Sequence, residues 1–102
     1  MIHVLATIEL KPGYREKYLE ILHQYIPDVR AEEGCIRYEP AIDTQTDIAV
    51  QEKAGADVVA LIEAWESVDA LKKHLSQPHM LRYREKVKSL IRQIRIRVLQ
   101  PA

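Results

Sequence analysis

Apolar residues alternate with polar or small ones from Ile2 to Leu10. Ile2, Val4, Ala6, Ile8 and Leu10 share one face, and His3, Leu5, Thr7 and Glu9 the other. A period of two predicts a strand with one dry and one mixed face. Lys11-Pro12-Gly13 is a turn signal. From Tyr14 the period becomes helical: Tyr14, Tyr18, Ile21, Leu22, Tyr25 and Val29 form a stripe opposite Arg15, Glu16, Glu20 and Gln24. Pro27 within this pattern predicts a kink or a split near Tyr25. Glu32-Glu33-Gly34 closes the helix, with Gly34 suited to a left-handed C-cap.

Cys35 to Ile42 reads as a second strand, with Ile36, Tyr38 and Ile42 on one face and Arg37 and Glu39 on the other. Pro40 lacks a backbone donor and places this strand at an edge or a bulge. Residues 43–56 are polar and weakly patterned, which predicts a long, partly mobile loop. Val58 to Trp65 is an apolar run broken only by Glu63 and reads as a strand. Ser67 is placed to cap a short helix, with Asp69 at the positive end of its dipole and Pro78 as its limit. A third helix is expected near His79, carrying Met80, Tyr83, Val87, Leu90 and Ile91 inward. Ile94 to Leu99 is the last strand, alternating Ile94, Ile96 and Val98 with Arg95 and Arg97. This order predicts an α+β, ferredoxin-like split βαβ fold: a four-stranded antiparallel sheet with helices on one face, in a single domain over residues 1–102. The uncovered face carries enough apolar groups to predict a homodimer through sheet faces, a dimeric α/β-barrel.

Composition narrows the function classes. Lys plus Arg and Asp plus Glu are 15 each, so net charge favours neither nucleic acid nor a membrane as partner. The one uneven region is residues 82–97, with seven basic residues and a single acid, Glu85. It reads as a solvated, charge-protected surface, with an anion site as the alternative. The lone Cys35 excludes an internal disulfide and reads as a small buried hydrophobe. No segment resembles a signal peptide or a membrane span, so the expected location is cytoplasmic.

The stretch from Asp57 to Met80 concentrates the candidate chemistry: the only Trp, Trp65, the acid Glu63, and His74 and His79. Its IEAWESVDALKKHLSQPHM segment, with ELKPG, VRAEEGC and IRYEP upstream, resembles the antibiotic-biosynthesis monooxygenase domain family, and within it the small bacterial quinol monooxygenases. The resemblance spans nearly the whole chain and is most specific at E-x-W-E-S-x-x-A-L-x-x-H, Glu63 to His74. It implies a dimeric barrel that oxidises a small phenolic or quinol aromatic with O2 as co-substrate and no cofactor, neither metal nor flavin.

Triplet oxygen needs an electron before it reacts with a singlet organic molecule, and a deprotonated quinol is the better donor. That chemistry calls for a base near neutral pKa in a dry, aromatic-walled pocket. His74, at the flank of the stripe Val68, Leu71 and Leu75, suits the base and is expected to border a cavity, with His79 and Glu63 beside it. Trp65, Tyr38 and Tyr83 are the expected aromatic walls. Arg82 completes the substrate-binding set, or with Arg84 ion-pairs Glu63; a partner His is another way to satisfy that acid. The plainer readings are an exposed helical His74, a core Trp65 and a structural Glu63. His3 is assigned to the surface and His23 to the core edge. His74 and His79, five apart across Pro78, are poorly spaced for a metal, and none is expected. The chain contains no asparagine, which counts against haem-degrading relatives. The alternatives are an isomerase of a small phosphorylated metabolite, held by the basic 82–97 region, and a non-catalytic dimeric binding or stress-response module.

Overall fold

The alternation read from the N-terminal residues becomes β1 (Ile2–Leu10) of a computed structural model that describes residues 1–102. There follow α1 (Arg15–Arg30), β2 (Cys35–Ala41), β3 (Val58–Trp65), α2 (Val68–Leu75), α3 (Pro78–Val87) and β4 (Ile91–Leu99). The sheet is antiparallel in the order β2-β3-β1-β4, the expected ferredoxin-like plan. Val4, Ala6 and Ile8 of β1 face the helices and are buried, and residues paired with them lie on the same side. Through β3 that inner side carries Val59, Leu61, Glu63 and Trp65. The helices add Tyr18, Leu22, Tyr25, Ile26, Val29, Leu71, Met80, Tyr83 and Val87 to one core.

The helix layer stops short of β4. Val98, Ile96 and Ile94 pair with Val4, Ala6 and Ile8, so they face inward, yet they are 49%, 51% and 54% exposed. They form an apolar ledge beside the helices. The basic region does not converge there: Arg95 and Arg97 point to the outer side with Thr7 and Leu5, Arg95 lies 3.5 Å from Glu9, and Lys88 pairs with Glu85.

Local departures have local causes. Pro27 does not split α1, which runs unbroken from Arg15 to Arg30, and the next turn is closed by Ala31 N–H donating to the Pro27 carbonyl. Tyr14 is the exposed N-cap rather than part of the stripe. A register shift between Cys35 and Arg37 interrupts the alternation in β2, leaving Ile36 54% exposed while Tyr38 is buried. Pro40 is accommodated because β2 is an edge strand. Ile91 opens β4 instead of ending α3, so the strand begins three residues early. His23 is exposed and His3 half-buried, the reverse of their assignments. The 43–56 loop is knitted by side chains: Gln51 Nε2 donates to the Thr44 carbonyl at 2.7 Å and Gly55 N–H to Asp43 at 3.0 Å. Its Glu52–Ala54 portion stands over the outer side of the sheet near Thr7 and Arg95. No helix is long and apolar enough to cross a membrane.

Candidate active site

Glu63 and Trp65 are two residues apart on one strand, so both side chains enter the space between sheet and helices. Tyr38 pairs with Glu63 across β2 and β3 and joins them. Beyond Trp65 the chain turns and Ser67 Oγ accepts from Ala70 N–H at 3.1 Å, the expected N-cap. Two turns later α2 sets His74 over the indole, with ring centroids 4.6 Å apart and planes at 36°. Tyr38 lies 5.6 Å from the same imidazole. Trp65 is 0% and His74 2% exposed.

The decisive partner comes from far away in sequence. Glu32, in the turn after α1, receives His74 Nδ1 at 2.9 and 3.1 Å and His79 Nε2 at 2.8 Å. One buried carboxylate therefore gathers both imidazoles. The five-residue spacing is bridged by a helix break: α2 ends, Gln77 caps α3, and Pro78 starts it, where a missing N–H costs nothing. Gly34, at φ +85, makes the turn that delivers Glu32; its carbonyl accepts from Glu66 N–H at 2.8 Å. Sequence reasoning took Glu32 only as a helix terminator. An acid two residues before a left-handed glycine, in the VRAEEGC match, was the available signal.

Glu63 finds neither a histidine nor an arginine. Its Oε1 accepts from Trp65 Nε1 at 3.0 Å, since strand geometry puts these two side chains together. Arg82 is exposed: the helical rotation that turns Tyr83 inward turns its neighbour to solvent. Arg84 is occupied by the Leu75 carbonyl. Tyr83 does join the cluster, and its hydroxyl meets that of Tyr18 at 2.5 Å. Tyr18 was read only as core, since a helical stripe does not distinguish a packing tyrosine from a bonded one. His74 is buried and borders none of the principal cavities, of which only one includes a cluster member, Tyr83.

Electrostatics sort the groups by role. Burial lowers the His74 pKa, and the Glu32 contacts offset this only partly. The ring is thus neutral at pH 7, and the contact is a hydrogen bond from Nδ1–H to a carboxylate, which leaves the lone pair on Nε2. Burial pushes Glu63 up to about 7 against the opposing effect of the Trp65 hydrogen bond. Desolvation raises Tyr38 and Tyr18 and takes Tyr83 to about 12, so all three stay protonated. Carboxylate oxygens of Glu32 and the ring nitrogens of His74 and His79 bond one another directly. The arrangement is a neutral imidazole oriented by a carboxylate, stacked on an indole, with a second acid poised near neutrality. It can accept a proton from an acidic hydroxyl and return one elsewhere.

Fold and motif together define a class: the chain belongs to the antibiotic biosynthesis monooxygenase family, whose signature matches residues 1–86. Among individual relatives, the Escherichia coli (strain K12) protein named "Probable quinol monooxygenase YgiN" is 39% identical over 103 residues, covering 99% of this chain and 98% of that one. The solved structure of Rv0793 from Mycobacterium tuberculosis is 29% identical with a TM-score of 0.80, covering 99% of this chain and 94% of that one. PA3566 from Pseudomonas aeruginosa is 26% identical, also with a TM-score of 0.80, over 99% and 93%.

Proposed function

We propose that the protein is a cofactor-independent monooxygenase of a quinol or related phenol, with O2 as its co-substrate. The observation that carries this reading is the buried Glu32–His74 pair lying on Trp65 with Glu63 beside it. His74 Nε2 takes a hydroxyl proton while Glu32 steadies the imidazolium that forms. A phenol titrates near about 10 and burial holds His74 below the usual imidazole range, so outright ionisation is uphill. Proton removal therefore proceeds with electron transfer from the ring to O2 rather than ahead of it. The resulting superoxide–semiquinone pair combines at a ring carbon, and the O–O bond breaks as Glu63, half-protonated near pH 7, supplies a proton. The balance closes without another reductant: quinol plus O2 gives hydroxyquinone plus water, the ring supplying all four electrons. Trp65, Tyr38 and Tyr83 hold the flat ring.

Support for the assembly comes from the outer side of the sheet, where Leu5 and Ile62 are paired neighbours and Leu5 is 39% exposed. The protein acts as a homodimer joined through these sheet faces. Oxygen uptake with a panel of hydroquinones, together with product analysis, tests the reaction. Uptake with hydroxyquinone formation is expected, and an isomerised product formed without oxygen overturns it.

A further inference from the structure

His74 and Trp65 are sealed from solvent, so a ring that reaches them needs a passage. One cavity touches the aromatic cluster. It is an open groove of about 260 Å³ between α3 and β4, walled by Tyr83, Val87, Ile91 and Ile94 with Arg84 and Lys88 also lining it. It exists because the helix layer does not extend over β4, which leaves Ile94 half exposed. An engineered apolar cavity of about 150 Å³ already accepts benzene, so this one suits one or two fused rings. Arg84 and Lys88 are engaged by the Leu75 carbonyl and by Glu85, so the apolar walls carry the recognition of a flat ring, and its oxygen substituents follow from the quinol reading.

Tyr83 is the partition. Its ring walls the groove, while its hydroxyl meets Tyr18, a side chain with no solvent exposure. Tyr25 packs edge-on against it at 5.9 Å. On the inner side Glu63 is near enough to raise the Tyr83 pKa, and Tyr83 in turn raises that of Tyr38. Tyr83 is bonded through its hydroxyl to one side chain only, so a swing of the whole side chain about its Cα–Cβ bond breaks that hydrogen bond and the edge-on contacts with Tyr18 and Tyr25.

Building on the quinol reading, we infer that the α3–β4 groove is the mouth through which a planar, oxygen-bearing aromatic binds, with Tyr83 as its door and the Tyr18 hydroxyl as the latch. The single tryptophan supplies the assay: stopped-flow quenching of Trp65 fluorescence by 1,4-naphthoquinone. Ile94→Glu puts a charge in the mouth and slows association about fivefold or more. Ile36→Glu, at a position equally exposed on the opposite edge strand, leaves it unchanged. Tyr18→Phe removes the latch and speeds association about three- to tenfold, the worth of one buried hydrogen bond. Equal rates in the two glutamate variants, or no quenching in the wild type, overturn the mouth; an unchanged or slower rate in Tyr18→Phe overturns the latch. Oxygen uptake is scored separately. Groove-dependent quenching without quinol oxidation removes the monooxygenase reading and keeps the mouth, and oxidation with Ile94-insensitive binding does the reverse.

Discussion

Glu63 and His74 share one interior yet titrate in opposite senses. Burial holds Glu63 protonated up to about pH 7 and His74 neutral below its usual range. For Glu63 the folded pKa exceeds the unfolded one, so its stabilising share is complete below about pH 4.5 and is lost as pH rises through 7. For His74 the folded pKa is the lower, so its share is present above about 6.5 and is lost as pH falls. Glu63→Gln keeps an acceptor for the Trp65 indole and removes the charge. Chemical denaturation should therefore find the variant gaining roughly 2–3 kcal/mol on the wild type between pH 5 and pH 8. His74→Ala should lower turnover at least tenfold, within the usual reach of a general base, with far-UV circular dichroism unchanged. The wild-type rate should rise with pH through the depressed His74 pKa, because only the neutral ring accepts a proton.

At the scale of elements, the site depends on two breaks in the chain: the Gly34 turn and the step between α2 and α3. Gly34 has φ +85, and an added Cβ would lie 2.6 Å from the Ala70 Cβ on α2. Gly34→Ala thus combines backbone strain with a clash and should cost about 1–3 kcal/mol, a fall in Tm of roughly 5 °C or more. Because Glu32 rides on this turn, activity should fall further than stability alone explains. These same breaks mark where the sequence was readable. Strand alternation in β1, the apolar run of β3 and the Ser67 cap are local signals, and local chemistry delivers them; Gly34 does take a left-handed φ, but in the turn beyond α1, whose C-cap is Ala31. Glu32 meets His74 across 42 residues and His79 across 47, and no short-range pattern records such a pairing. The shift after Cys35 that exposes Ile36 depends on the neighbouring strand, and Ile91 fits a helical stripe as well as a strand start. Glu63 and Trp65 share a face because residues two apart on a strand point to one side, whereas the same parity put Ile36 with Tyr38 and failed at the β2 register shift. Arg82 was misplaced because one residue on a helix turns a side chain by about 100°.

The whole molecule is a slab 20 Å thick and 38 by 36 Å across, one sheet under one helix layer. Its radius of gyration of 14.1 Å exceeds the roughly 13 Å expected of a globule this size, as its flat shape requires. A standard interface would cover about 800 Å² per partner of the chain's 6816 Å². The proposed sheet-face homodimer predicts twice the chain mass for the wild type in light scattering and a monomer for Leu5→Glu. A dimer that persists in the variant would place the contact elsewhere. The overhanging β4 has one further consequence. Its outer backbone edge is unpaired, and its half-exposed isoleucines would template fibril growth were they not interleaved with Arg92, Arg95 and Arg97. Mutual repulsion of these guanidinium groups keeps stacked copies apart. Replacing all three with glutamine should turn a dispersed protein into one that nucleates thioflavin-positive aggregates, fastest where salt has already weakened the charge.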